Sequence, residues 1–357
     1  MKEIHINLGN DSYDIHIEDG LLNRVGPYIQ AVTKAKTVGV ISDTTIDTLY
    51  GDRLERVLTD AGFTVRRIVF PAGEESKSLA MLGNLYQQMS DAGLTRSDAV
   101  ITFGGGVVGD LGGFAAATFL RGLPFIQIPT TIIAQVDSSV GGKVAIDLPS
   151  GKNQAGAFYQ PKAVLIDPEL LQTLPKRFIH DGLGEVIKYG CIRDAKLFDL
   201  LASLSDDTLA PHWEEIIETC CAIKAQIVEH DVYDLGERML LNFGHTIGHA
   251  IERFYGYGHY THGEGVAAGM AMLTGVTEAM GITAKGTTER IRKVLKQYDL
   301  PTDVSAARED LLPYIGNDKK KRGHSLTFIV LDDIGHSRLL TVDDADVPQY
   351  IRKGEGR

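Results

Sequence analysis

Between Thr37 and Ile166, short apolar runs alternate with stretches of helix length, and this alternation restricts the fold more than any other feature. Thr37–Ser42 (TVGVIS), Phe63–Phe70, Ala99–Phe103, Pro124–Pro129 and Ala163–Ile166 read as strands. A helix to about Ala61 and another over Ser78–Gly93 separate them. Strands spaced by helices of this length form βαβ units, whose crossovers enforce a parallel sheet. Glu3–Leu8 and Tyr13–Glu18 read as a preceding hairpin. The pattern changes near Asp167–Pro175, beyond which long helical stretches dominate, among them Trp213–Glu229 and Leu241–Phe254. Ser325–Leu331 and Ser337–Thr341 read as a late hairpin. The expectation is an α/β domain with a parallel sheet over 1–174 and a mainly α-helical domain over 175–357. The cleft between a doubly wound sheet and a helical domain is the natural place for a ligand.

A chain of 357 residues suits two such domains. Its net charge of −11 argues against nucleic acid as a partner. An acidic protein binds an anion only by gathering its cations in one place, so clustered Lys and Arg matter more than the average. Cys191, Cys220 and Cys221 have neither zinc-finger nor disulfide-framework spacing, which fits a reducing cytoplasm. The first residues lack an apolar signal core, and no uncharged apolar run reaches membrane-spanning length. No membrane partner is expected.

Gly104-Gly105-Gly106-Val107-Val108-Gly109-Asp110 follows one strand and opens a helix. Glycines there let backbone N–H groups approach a pyrophosphate at the helix N-terminus, as in a Rossmann-like dinucleotide site. The turn sits in a later βα unit than usual, so a ribose-binding acid must come from another strand end. Asp43 is placed for that, and its competing role is a helix N-cap. Glu74, Lys77, Thr130 and Thr131 follow strands at the same sheet edge.

Leu241-Asn242-Phe243-Gly244-His245-Thr246-Ile247-Gly248-His249 puts two imidazoles one helical turn apart. His262 follows in what reads as a glycine-rich loop, and Glu185 lies on a glycine-flanked helical stretch. Three imidazoles and a carboxylate suit a catalytic zinc-type site, while the spacing leaves open which three bind. The cations are spread in sequence. Asp137 to Lys143 and Gly151-Lys152-Asn153 read as a loop folding over an anion. Lys188 lies one turn from Glu185, Lys224, Arg238 and Asn242 lie on later helices, and Lys319-Lys320 is part of a late basic run. Gathered together, they would bind phosphate and carboxylate.

GGGVVGDLGGF, IPTTIIAQVDSSVGGKVAID, GKN at 151–153, GEVIK and LNFGHTIGHA, in this order, resemble the 3-dehydroquinate synthase family over most of the chain. The resemblance implies a two-domain fold and NAD⁺ and one divalent metal, zinc or cobalt, as cofactors. It further implies conversion of 3-deoxy-D-arabino-heptulosonate 7-phosphate to 3-dehydroquinate and phosphate in the shikimate pathway. That is a lyase reaction, with transient oxidation, phosphate elimination, re-reduction and intramolecular aldol closure. By the same resemblance the metal ligands are Glu185, His245 and His262. Nucleotide contacts fall on Asp43, Glu74, Lys77, Gly105, Gly106, Asp110, Thr130, Thr131, Lys143 and Lys152. Lys143, Lys188, Lys224, Arg238, Asn242 and His249 act on the substrate, with Asp137, Asn153 and Lys320 binding it. Arg121 matches a family arginine that reaches the neighbouring subunit's substrate phosphate, so a homodimer is expected. Family members often carry Asn where this chain has Thr45, which touches one ribose contact.

Three other readings compete: a related cyclase, such as 2-deoxy-scyllo-inosose or aminodehydroquinate synthase; a polyol dehydrogenase that consumes NAD⁺; and a non-catalytic nucleotide-binding regulator. The complete cation set favours a substrate that carries a carboxylate.

Overall fold

The computed structural model describes residues 1–256, 258–315 and 324–352. The chain divides into two compact units, one of Met1–Leu174 with Ile217–Glu229, the other of Pro175–Ile216 with His230–Arg357. A single cut at 174 therefore misses one excursion: most of the helix Trp213–His230 packs with the first unit. Among the described residues no helix is long and apolar enough to cross a membrane.

The first unit is built on a seven-stranded sheet. Its strands are β1 (Lys2–Ile6), β2 (Tyr13–Ile17), β3 (Thr37–Asp43), β4 (Thr64–Phe70), β5 (Ala99–Gly104), β6 (Phe125–Pro129) and β9 (Ala163–Ile166), in the order β1-β2-β9-β6-β5-β3-β4. Every pairing is parallel except that of β1 with β2, the expected hairpin. β5, β6 and β9 are buried along their whole length, as befits strands covered on both faces. Alternate residues feed the two layers. Ile101 and Phe103 of β5 pack with Val25, Ile29, Leu54 and Leu58, which come from α1 (Val25–Val32) and α2 (Asp52–Asp60). Val100 faces Leu82, Leu85, Leu111 and Ala115, from α3 (Leu79–Asp91) and α4 (Gly106–Thr118).

Strand order reverses around β3, with β4 on one side and β5 on the other. At such a switch point the two loops diverge and leave a crevice at the carboxyl ends of the strands. The expected loop over 137–153 is in large part a hairpin, β7 (Lys143–Leu148) with β8 (Gly151–Phe158). Glycine and lysine concealed its strand alternation.

The second unit is mainly helical. It contains α5 (Lys176–Ile192), α6 (Ala195–Ser203), α8 (His245–Tyr255), α9 (His262–Ala279) and α10 (Thr287–Gln297), and α7 (Trp213–His230) begins in it. β10 (Ser325–Asp333) and β11 (His336–Asp343) form the late antiparallel hairpin. The helix read over Leu241–Phe254 starts only at His245, because Gly244 adopts φ 80° and the preceding turn, Glu237–Asn242, is 3₁₀. Three helices meet through glycines. A Cβ on Gly184 of α5 would stand 2.7 Å from the Gly263 carbonyl oxygen, and one on Gly248 of α8 would stand 2.9 Å from the Gly265 carbonyl carbon. Larger residues would hold α5, α8 and α9 apart.

Candidate functional site

Glu185, His245 and His262 come from these three helices, and their ligand atoms lie within 4.8 Å of one another. The close glycine contacts are what allow it. His262 is not in a loop but is the first residue of α9. Glu264 closes back on the Thr261 N–H at 2.9 Å, half of a capping box that the sequence Thr261-His262-Gly263-Glu264 announces. Asp181, on the same face of α5 as Glu185, accepts the Gly263 N–H at 2.6 Å and so ties the start of α9 to α5.

Both histidines are oriented by their far nitrogens. His245 Nδ1 lies 3.1 Å from the Phe243 carbonyl oxygen, and His262 Nδ1 lies 3.1 Å from Glu252 Oε1. Their Nε2 atoms then face Glu185 Oε1 at 3.5 and 3.3 Å. That oxygen is buried without a hydrogen-bond partner, while Oε2 of the same carboxylate receives the Lys188 ammonium. Two ligands held about 2.0–2.2 Å from a tetrahedral ion stand about 3.3–3.6 Å apart. The set therefore fits a divalent metal in both donor type and spacing. Burial lowers the His262 pKa, but Glu185 and Glu252 outweigh it and push it up to about 10.

His249 is half-buried, with its ring 5.5 Å from that of His245 and 5.9 Å from that of His262. His249, Glu252 and His262 form a second group of clustered donors. Glu252 was missed in the sequence reading. The signal was present: His245, His249 and Glu252 stand at i, i+4 and i+7, one face of a helix. Arg238 is buried and donates to the Val232 carbonyl oxygen at 2.6 Å, and Asn242 Nδ2 donates to the Met239 carbonyl oxygen at 3.3 Å.

In the first unit the expected nucleotide residues gather at the carboxyl ends of the strands. Asp43 ends β3, Gly104 ends β5 beside it, and Pro129 of β6 pairs with Gly104, leaving Thr130 and Thr131 next in line. Asp43 does cap the following turn, accepting from the Thr45 and Ile46 N–H groups at 2.8 and 3.0 Å. Gly105 is the N-cap of α4 and supplies no side-chain cap, so the first N–H groups of that helix are open to an anion. Thr130 Oγ1 is buried without a hydrogen-bond partner. These features fit a dinucleotide. Lys77 Nζ contacts Asp110 at 2.5 Å, and Lys152 Nζ lies 3.7 Å from Glu74. Burial works against the Lys77 ammonium, but Asp110 and Glu74 hold its pKa above the usual lysine range.

Lys224 is buried and donates to the Asp137 carbonyl oxygen at 2.5 Å as well as contacting its carboxylate. Asn153 sits on the hairpin at φ 54°, its N–H donating to Asp147 at 2.7 Å, and Lys143 is exposed at the start of β7. Arg121 is exposed at φ 71°, next to Leu120 at φ 51°. Lys319 and Lys320 lie outside the described residues.

Profiles described as 3-dehydroquinate synthase N-terminal and C-terminal match residues 67–181 and 182–321. A 3-dehydroquinate synthase from Clostridium acetobutylicum is 48% identical over 99% of both chains. Among solved structures, 2-deoxy-scyllo-inosose synthase complexed with carbaglucose-6-phosphate, NAD⁺ and Co²⁺ superimposes with a TM-score of 0.88 at 26% identity, covering 99% of this chain and 100% of that one. A 2-epi-5-epi-valiolone synthase from Streptomyces hygroscopicus with NAD⁺ and Zn²⁺ bound gives a TM-score of 0.86 at 25% identity, covering 95% of each chain.

Proposed function

The chain belongs to the 3-dehydroquinate synthase family, and from that premise we propose how its residues divide the work of the reaction. The reaction converts 3-deoxy-D-arabino-heptulosonate 7-phosphate to 3-dehydroquinate and phosphate, a carbon–oxygen lyase step of the shikimate pathway. The alternative of another cyclase falls away, because those relatives match at about half the identity of the synthases. NAD⁺ and one divalent metal are the cofactors. When bound, they supply a hydride acceptor that gives back what it takes and a Lewis acid for a substrate oxygen.

Glu185, His245 and His262 hold the metal, with Lys188 steadying the second carboxylate oxygen of Glu185. The observation that carries this is the approach of two Nε2 atoms to one unpartnered carboxylate oxygen. Asp43, Glu74, Lys77, Gly105, Gly106, Asp110, Thr130, Thr131 and Lys152 line the NAD⁺ site, with Lys143 beside it. Lys143, Asn153, Lys188, Lys224, Arg238 and Asn242 meet the phosphate and carboxylate of the substrate, Lys224 being positioned through Asp137. Fixed cations of this kind hold the substrate oriented and stabilise charge without reorganising. His249 orients the substrate and moves protons at its imidazole. No dedicated strong base stands among the assigned residues, and the substrate phosphate takes the proton it needs for its own departure. Arg121 completes the site of a second subunit, so the working form is a homodimer. Three buried cysteines outside any disulfide suit a reducing compartment, and we place the enzyme in the cytoplasm.

The test is phosphate release from the heptulosonate phosphate with NAD⁺ at trace concentration. Product should exceed the NAD⁺ supplied many times over, with no accumulation of NADH. One NADH formed per product would overturn the assignment in favour of a dehydrogenase.

A further inference from the structure

We propose, on the ligand set assigned above, that Glu252 is a positioning residue of the metal centre. It holds His262 by Nδ1 so that Nε2 is aimed at the ion, and it is not itself a ligand. Glu252 is 2% exposed, and its Oε1 stands 3.1 Å from His262 Nδ1. The other nitrogen of the same ring faces Glu185 Oε1 at 3.3 Å. A ring that gives its Nδ1–H to a carboxylate keeps its lone pair on Nε2, is fixed in rotation and is made a more basic ligand. His245 receives the weaker version of this arrangement, since its Nδ1 faces the neutral carbonyl of Phe243 at 3.1 Å. The two histidines are therefore unequal, and His262 depends on a charged partner from another helix.

The competing geometry makes Glu252 a ligand together with His249 and His262. That set abandons Glu185, whose Oε1 would stay buried in the helical unit without a partner. A buried carboxylate oxygen left without a hydrogen-bond partner is costly. Ligation through Glu185 removes this cost, and Glu252 then completes the outer layer.

The experiment titrates metal-free protein with Zn²⁺ against a chromophoric chelator and records the Co²⁺ absorption spectrum. Glu252→Gln should bind one metal roughly 10–100-fold more weakly than wild type, the range for loss of such an outer carboxylate. Its Co²⁺ bands should keep the wild-type shape, because the ligands are unchanged. Glu252→Asp keeps the charge but falls one methylene short, and should lie between the two. Wild-type affinity in Glu252→Gln, or a Co²⁺ spectrum showing a lost ligand, overturns the proposal. Thermal melts of the metal-free forms check folding. If the Gln form does not fold, the Asp form decides, and wild-type affinity there is the overturning result. Glu185→Gln and His245→Ala run in parallel. Undiminished metal binding in both would overturn the ligand assignment itself, an outcome distinct from failure at Glu252.

Discussion

His245 and His249 are one turn apart on α8, yet their surroundings differ. His245 is buried with Nδ1 at the Phe243 carbonyl and Nε2 at Glu185, whereas His249 is half-buried and is absent from the cluster containing Glu185. His245→Ala should lose metal and activity together. His249→Ala should keep the metal and lose turnover by roughly 10²–10⁴-fold, the usual worth of general acid–base help. Elemental analysis of the purified variants separates the two, which an activity assay alone does not. A metal-free His249→Ala beside a metal-loaded His245→Ala would require the ligand set to be redrawn. The same residue-level view explains what sequence reading saw least clearly. Glu252 has no motif of its own, and only its i+7 spacing and the orientation of His262 Nδ1 mark it.

At the scale of the element, the clustering of Glu185, His245 and His262 depends on how closely three helices approach. A Cβ on Gly263 would overlap the carbonyl oxygen of Asp181, backbone against backbone, so α9 has to shift. Gly263→Ala should cost about 1–3 kcal/mol through overpacking and weaken metal binding, because His262 is its neighbour. Gly83, exposed within α3, has nothing within 4 Å of an added Cβ. Gly83→Ala should therefore stabilise by roughly 0.5–1 kcal/mol with metal affinity unchanged. Thermal melts and chelator competition on the pair distinguish a steric cause from a general sensitivity to added methyl groups. A Gly263→Ala protein as stable and as metal-tight as wild type would show that the helices have slack.

For the whole molecule, Arg121 is the residue whose assigned role one chain does not fulfil. It is exposed, and with Leu120 it forms a pair of non-glycine residues at positive φ. Such backbone is held only where the surroundings over-determine it, and it is common at functional sites. Mixing inactive Arg121→Ala with inactive Lys188→Ala should restore part of the activity, since a hybrid dimer contains one site with both residues intact. No recovery after subunit exchange has been verified, by native mass spectrometry for instance, would count against a shared site.

Local physics suffices for much of this protein. The apolar runs that became β3, β5, β6 and β9 are recognisable because strands buried on both faces leave little room for polar residues. The strand–glycine–helix turn at 104–106 and the paired histidines at i and i+4 are equally local, since backbone freedom and helical period act over a few residues. The family resemblance then pointed to one reaction, with a related cyclase as the main alternative until the homologues set it aside. Tertiary structure decided what no local rule reaches. It opened α9 at His262, made a hairpin of 143–158 and returned most of α7 to the first unit. It also brought Glu185, His245 and His262, spread over 78 positions, to one point with Glu252 behind them. The distances between these side chains depend on how closely glycine-bearing helices pack, and that is a property of facing surfaces, not of any one stretch of chain.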